Sequence, residues 1–183
     1  MNIRNLFMVI MTLLVSSCSK SPTELFDLAE QELKQDNSNL AINNLKLLIS
    51  KHPNDSLASK AQYKLASVYL NWEDEISLGL EALKNTVIDY PKTIHAKQAQ
   101  KEIDRFPQFL LDKGESLRKQ KKLKESVDHL MFLTKNYSNT EIAPKGQYML
   151  GDVYMNDFRD FTTAIQEYRK VIENYNGSSQ EPH

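Results

Sequence analysis

Few residues in this sequence have the type and spacing that chemistry requires. No two of its four histidines lie three or four residues apart, the spacing with which one helix binds a metal ion through two imidazoles. Glu73, Asp74 and Glu75 could be imagined as a cation site or an acid/base pair, but such a run is normally a solvated turn. The histidines are His52, His95, His129 and His183.

The catalytic motifs that can be recognised by spacing are also missing from the sequence. It contains no G-x-S-x-G, no glycine-rich phosphate loop and no H-E-x-x-H. The single cysteine excludes both an internal disulfide and a C-x-x-C metal site. We therefore expect no enzyme activity, no metal ion, no cofactor and no small-molecule substrate.

The densest charge is a basic cluster of five side chains between residues 118 and 124. Two interpretations are open: a solubilising turn between helices, or an electrostatic patch for an acidic partner or lipid head groups. Aromatic residues are not interleaved with it and the net charge is −1, so nucleic acid is not an expected partner. The basic cluster consists of Arg118, Lys119, Lys121, Lys122 and Lys124.

The totals favour one helical domain or one array. The chain has 183 residues, 40% of them hydrophobic and 26% charged, which is ample for a packed core. With only five glycines and six prolines, a loop-rich all-β fold is disfavoured.

Cys18 ends a segment with the layout of a secretory signal. Arg4 and the amino terminus supply positive charge, a mainly apolar run of ten residues extends from Leu6 to Val15, and two serines precede the cysteine. The run is too short for a bilayer, which needs about 20 residues. Two other interpretations are a plain signal cleaved after Ser17, with Cys18 incidental, and a buried first helix.

A repeated pattern of residues occupies most of the remaining chain. Small residues recur at intervals of 38, 47 and 38, and each is followed at fixed offsets of one, four and eleven by a large side chain. Such offsets keep the side chains on one face of a helix. A second set of small residues lies seventeen and twenty positions after the first three anchors, with a glutamine next to the latter. The anchors are Ala41, Gly79, Ser126 and Ala164, and the glutamines are Gln62, Gln100 and Gln147.

This periodicity predicts an all-α array of stacked helical hairpins, with the repeat domain at 23–176. We expect about four hairpins, with helices such as 56–71 and 77–90 forming one of them. The 47-residue interval has nine extra residues around Pro107, which either starts a new helix or kinks a long one. We expect an additional helix between the second and third hairpins. Ser56, Thr93 and Thr140 are the expected N-caps of three of the helices.

The repeat resembles the tetratricopeptide repeat. The resemblance rests on residues 146–154, Gly-Gln-Tyr-Met-Leu-Gly-Asp-Val-Tyr, followed by Ala164, Ile165 and a closing Tyr175. Phrases such as "DYPKT" and "HPND" are similar to the variant found in periplasmic proteins of double-membraned bacteria. The resemblance covers roughly 21–175 and implies a scaffold that binds other proteins.

The N-terminal segment resembles a bacterial lipoprotein signal through Val15-Ser16-Ser17-Cys18. This implies a signal peptide at 1–17, a lipid on Cys18, a linker at 18–22 and, because Ser19 is not aspartate, the periplasmic face of the outer membrane. A lipidated cysteine followed by repeats is similar to the outer-membrane lipoprotein of the β-barrel assembly machinery, the BamD-like family. Residues 143–151 also resemble the periplasmic coordinator of the Tol–Pal system. Residues 177–183 are expected to be a disordered tail.

In tetratricopeptide proteins the first helices line a groove that commonly holds a peptide or a partner's helix. Mapping the repeat onto this chain assigns four groove residues to the second unit and four to the fourth. The alternative for Tyr63 and Tyr148 is packing against the neighbouring hairpin. The groove residues are Lys60, Tyr63, Lys64 and Ser67 in the second unit and Lys145, Tyr148, Met149 and Asp152 in the fourth.

The lipoprotein interpretation predicts a different fate for wild type and for Cys18→Ala. We expect the wild type to gain acyl mass and float with outer membranes, because two or more acyl chains anchor a protein firmly. The variant should remain unprocessed. Mass spectrometry and membrane flotation measure both properties, and wild type that is cleaved but soluble in the periplasm would show that Cys18 is incidental.

Overall fold

A computed structural model describes residues 20–175, which fold into nine α-helices with no β-strand among them. A π-helical segment, Val153–Phe158, continues the eighth helix and ends at Arg159, whose φ of 58° is left-handed. The predicted signal at 1–17, the predicted lipid attachment site Cys18 and the predicted tail at 177–183 lie outside the described residues. The helices are α1 Pro22–Lys34, α2 Ser38–Lys51, α3 Ser56–Asn71, α4 Ile76–Asp89, α5 Ile94–Asp104, α6 Phe106–Lys119, α7 Leu123–Asn136, α8 Ala143–Asp152 and α9 Phe161–Asn174.

The helices form four antiparallel hairpins with one additional helix, as the sequence predicted. The hairpins are α1–α2, α3–α4, α6–α7 and α8–α9, and α5 lies between the second and third. Pro107 is in the first turn of α6, where its missing N–H removes no helical hydrogen bond. The fold is therefore an α-solenoid of helical hairpins.

The start of the array is fixed by a capping box at α1. The Ser21 hydroxyl accepts a hydrogen bond from the Glu24 N–H at 3.2 Å, and the Glu24 carboxylate accepts one from the Ser21 N–H at 2.7 Å. Pro22 occupies the first helical position. These contacts satisfy two backbone donors that would otherwise lack partners, so the first helix begins sharply four residues after Cys18.

Of the three expected N-caps, only Thr93 has that role: its hydroxyl accepts from the Ala96 N–H at 3.2 Å. For α3 the cap is Asp55, which accepts from the Leu57 N–H at 2.8 Å, and Ser56 is already helical. Thr140 instead donates to the Tyr137 carbonyl at 2.7 Å, and α8 begins without a side-chain cap. The predictions for Ser56 and Thr140 were wrong. Asp55, one residue before Ser56, caps α3, and the Thr140 hydroxyl is engaged by the Tyr137 carbonyl in the preceding turn.

The core depends on the second helices of the first three hairpins, each of which packs between two neighbouring helices. Thus α2 packs against α1 and α3, α4 against α3 and α5, and α7 against α6 and α8. Leu45, Leu83 and Leu130, at the same repeat position, are completely buried as a result. Small residues allow the approach: a Cβ on Gly114 would lie 2.9 Å from the Leu130 side chain.

The repeated glutamines join the two helices of a hairpin. The Gln62 amide, on α3, donates to the Ala82 carbonyl on α4 at 3.5 Å, and the Gln147 amide, on α8, donates to the Glu167 carbonyl on α9 at 3.2 Å. Gln100, on α5, is exposed and bonds Asp104 within its own helix at 2.8 Å. Since α5 has no second helix of its own, its glutamine has no carbonyl across a hairpin to bind.

We predict that Leu83→Ala lowers the free energy of unfolding by about 2–5 kcal/mol, because it opens a cavity where two helices converge. The matched control is Leu78→Ala on the same helix, at an exposed position, for which we expect a loss below about 1 kcal/mol. Urea unfolding followed by circular dichroism measures both. Equal losses in the two variants would contradict this account of the core.

Candidate functional site

The predicted groove residues of the second unit lie on the face formed by α1, α3 and α5, here called the first-helix face. Three of them make contacts across that face. The Lys60 ammonium lies 4.4 Å from the centroid of the Phe26 ring on α1, and Lys64 pairs with the Glu30 carboxylate on α1 at 2.7 Å. Tyr63 donates its hydroxyl to Glu102 on α5. These side chains therefore hold the first helices together.

Tyr63 is a strongly perturbed titratable group on this face. Burial, the hydrogen bond to Glu102 and the negative charge of Glu102 raise the pKa of Tyr63 to about 12. Its ring centroid lies 6.1 Å from that of His95. Burial, and then the charge of Lys60, lower the pKa of His95, so this imidazole is neutral at neutral pH. Tyr63 is accordingly a permanent donor and not a base.

Beside Tyr63 lies a cavity of about 530 Å³ between α3, α5 and the start of α6, here called the α3–α6 groove. Its floor is apolar and consists of Leu70, Phe106 and Phe109, with the two rings 5.4 Å apart. Its polar rim is formed by Tyr63, Ser67, Asn71, Gln98, Lys101, Glu102 and Arg105.

The rim carries a net positive charge. Glu102 is engaged by Tyr63, whereas the exposed side chains of Lys101 and Arg105 form no ion pair within residues 20–175. An apolar floor with two cations at its edge suits a segment that combines a large apolar side chain with a carboxylate.

Sequence reasoning placed Tyr63 and Ser67 at this groove but missed Lys101, Arg105, Phe106 and Phe109. Lys101, Arg105 and Phe106 lie 38 residues after Tyr63, Ser67 and Val68, so the repeat gives them equivalent positions. Only Phe109 falls among the extra residues around Pro107. The available signal was therefore the 38-residue repeat itself, which carries the groove positions of the second unit onto α5.

The four predicted groove residues of the last hairpin lie on α8, away from the α3–α6 groove. In the array, α5 and α6 separate α8 from α3. The Tyr148 ring is 5.2 Å from that of Tyr168 on α9, and Asp152 accepts the Tyr168 hydroxyl at 2.6 Å. Met149 packs on the core, and Lys145 is exposed. The structure therefore does not bring the two predicted sets together, and Tyr148 and Asp152 contact the neighbouring helix.

The basic cluster is largely paired with acidic side chains. Arg118 donates to Asp157 at 2.6 Å and to the Asp152 carbonyl at 3.2 Å, and Lys121 reaches the other Asp157 oxygen at 3.1 Å. Lys119 pairs with Glu115 at 2.7 Å and Lys124 pairs with Asp128 at 3.0 Å, each one helical turn away. These contacts favour a structural role, because Arg118 and Lys121 tie the turn before α7 to the π-helical segment.

Residues 20–175 contain neither a membrane-spanning helix nor a metal-binding cluster. No helix there is long and apolar enough to cross a membrane. No group of three histidine, cysteine or acidic side chains in that part of the chain is arranged to hold a metal ion.

The stacked hairpins and the repeat that generates them define a helical-repeat solenoid of the tetratricopeptide type. Residues 146–178 match the family model described as tetratricopeptide repeat, a region that begins in α8 and includes all of α9. A search of curated proteins found no match. Among solved structures, MamA 41-end from Desulfovibrio magneticus RS-1 is similar at 12% identity, over 88% of this chain and 99% of that one, with a TM-score of 0.38. That likeness is too distant to support an argument about function.

We predict that Asp157→Asn destabilises the fold at neutral pH by about 1.5–3 kcal/mol, because it removes charge-assisted hydrogen bonds at a side chain only 8% exposed. Burial by itself would raise the pKa of Asp157, but the bonds from Arg118 and Lys121 prevail and lower it below 3.8. Wild type therefore keeps this stability above about pH 4 and loses it as pH falls through the lowered pKa.

Urea unfolding at pH 7 and pH 3 tests this prediction, and the difference between wild type and Asp157→Asn should shrink at the lower pH. Asp128→Asn is the control, because its partner Lys124 is exposed and such pairs contribute less than about 1 kcal/mol. A difference between Asp157→Asn and wild type that is the same at both pH values would contradict the assignment.

Proposed function

We propose that this chain is a lipid-anchored scaffold that holds a partner protein in the α3–α6 groove and catalyses no reaction. The observation that carries the proposal is the groove itself: an apolar cavity of about 530 Å³ with two cationic side chains at its rim. The volume lies within the roughly 300–1,000 Å³ of typical binding pockets.

The proposed occupant is a protein segment with one bulky apolar side chain next to an acidic residue. The apolar side chain would contact Leu70, Phe106 and Phe109, and burial of such a side chain contributes about 1.5–3 kcal/mol. The carboxylate would accept charge-assisted hydrogen bonds from Lys101 and Arg105. The apolar contacts use side chains that the fold already positions, whereas the exposed side chains of Lys101 and Arg105 become ordered on binding.

We further propose that Cys18 carries the lipid and that the chain lies on the periplasmic face of the outer membrane. The support is the Val15-Ser16-Ser17-Cys18 motif and the absence of aspartate after it. Since α1 begins at Pro22, only three residues separate Cys18 from the array, and the first hairpin would lie close to the membrane surface.

The process that the scaffold serves is proposed to be outer-membrane protein assembly, on the resemblance of a lipidated cysteine followed by repeats to the BamD-like family. The second candidate is an adaptor of envelope division of the Tol–Pal type, favoured by the similarity of residues 143–151. Purification of bound partners from envelopes separates them. A barrel insertase supports the first, and peptidoglycan-linked proteins support the second.

We expect Lys101→Glu/Arg105→Glu to abolish partner capture, because like charges would face the partner's carboxylate. The matched control is Lys84→Glu/Lys92→Glu, which makes the same charge change at exposed positions on and after α4. A photo-crosslinker at Gln98, on the groove rim, identifies the captured protein by mass spectrometry. Equal crosslinking of the same partner in both double variants would rule out the groove as the site.

A further inference from the structure

One contact between charged side chains crosses the point where the repeat is interrupted. The chain passes from the second hairpin toward the third at Arg105, the residue between α5 and α6. Within residues 20–175, every other pairing of an acidic with a basic side chain stays on one side of Arg105. The pairing that crosses it is that of Asp74 with His129.

This contact connects the second hairpin directly to the third. Asp74 lies in the turn between α3 and α4, and His129 lies on α7. The Oδ1 atom of Asp74 is 3.5 Å from Nε2 of His129. The imidazole is only 1% exposed, so what happens at Nε2 takes place in the interior of the array.

As a neutral ring, His129 has an unsatisfied nitrogen at this contact. Its Nδ1 lies 3.0 Å from the carbonyl oxygen of Glu125, and because a carbonyl only accepts, Nδ1 carries the proton. The buried Nε2 atom is then an acceptor, and it has no hydrogen-bond partner. It faces a carboxylate, which is also an acceptor, so the contact lacks one proton.

A proton on Nε2 would complete the contact. The N–H would donate to the Asp74 carboxylate, and charge-assisted bonds of this kind are about 2.7–2.9 Å long. Histidine is the side chain that ordinarily exchanges a proton between about pH 5 and pH 8, a range in which exposed carboxylates stay ionised. The link between the two hairpins is therefore made by taking up one proton from solvent.

Charged groups on the neighbouring elements influence that proton. In the turn, Glu73 and Glu75 flank Asp74 and add negative charge, which favours an imidazolium. On α6, Lys113 lies one turn after Phe109, whose ring centroid is 6.4 Å from that of the imidazole. The positive charge of Lys113 opposes protonation.

The remaining elements around α7 contribute little charge. The buried face of α8 has no titratable side chain, and Asp157 in the π-helical segment is already bound by two cations. On α7 itself, Asp128 is paired with Lys124. Within residues 20–175, Asp74 has the only carboxylate within 4 Å of the imidazole, so it is the group that decides the contact.

The contact also borders the α3–α6 groove. Leu70 and Asn71, at the end of α3, line the groove on one side, and Phe109 of α6 lines it on the other. Asp74 follows α3 by three residues, and His129 packs against Phe109. A bond between Asp74 and His129 therefore fixes the two sides of the groove relative to each other.

We propose that Asp74 and His129 form a proton-dependent latch, which closes when Nε2 of His129 takes up a proton and opens when it releases one. The closed latch joins the second hairpin to the third and holds the α3–α6 groove at a fixed width. The open latch leaves the two hairpins connected mainly through α5. It is a property of the array and does not depend on the partner proposed above.

Urea unfolding of the full chain in a mild detergent, at about pH 5.5 and about pH 8, tests the latch. At the lower pH we expect Asp74→Asn to raise the equilibrium constant for unfolding about ten-fold, because it removes a charge-assisted bond. At the higher pH it should cause no such rise, because an asparagine amide can donate to the bare Nε2.

The matched control is Asp36→Asn, the same change in the equivalent turn of the first hairpin. Asp36 has a φ of 57° and Asp74 a φ of 56°, so any effect of asparagine on a left-handed backbone is common to both. Asp36 is exposed and forms no ion pair within residues 20–175. Its variant should stay within about two-fold of wild type at both pH values.

Nitrogen NMR of the imidazoles detects the proton directly. In folded wild type we expect His129 to carry a proton on Nδ1 alone at the higher pH and on both nitrogens at the lower pH. A neutral His129 at the lower pH would overturn the proposal, as would an Asp74→Asn effect that is equal at both pH values or equal to that of Asp36→Asn. None of these outcomes bears on partner capture, which the crosslinking from Gln98 tests separately.

Discussion

The structure depends on the need of every second helix to be covered from two sides. In the first three hairpins the second helix contacts its own first helix and the first helix of the next element, and this double contact completely buries Leu45, Leu83 and Leu130. A hairpin by itself cannot provide it, so stability arises between units and extends along the array. The same constraint makes the ends of the array special: α1 has polar residues on its outward side, whereas α9 has Phe161 and Ile165.

The interruption of the repeat creates the candidate site. Helix α5 takes the position of a first helix, covering α4, but the chain then turns at Arg105 into α6 without forming a second helix. Gln100 is left exposed as a consequence, and Phe106 and Phe109 form the floor of the cavity beside α3. The groove is therefore a property of the irregular unit.

Charged side chains in this array mostly connect helices to each other. Lys64 pairs with Glu30 between α3 and α1, and Arg118 joins the end of α6 to Asp157 in the π-helical segment. The basic cluster, which in the sequence is the densest charge, is therefore largely neutralised by its neighbours. Lys101 and Arg105 are less conspicuous in the sequence, yet they are the cations that the groove leaves available to a partner.

The sequence by itself determined the class of fold, the four hairpins, an additional helix between the second and third of them and a helix start at Pro107, because each follows from local periodicity and the backbone chemistry of proline. It also indicated Tyr63 and Ser67, whose repeat positions recur 38 residues later as Lys101 and Arg105. Only the tertiary structure decided that Lys101, Arg105, Phe106 and Phe109 share a cavity with them, and that Asp157 neutralises Arg118 from 39 residues away. Those contacts depend on how far one helix is displaced against the next, which periodicity within a helix does not encode.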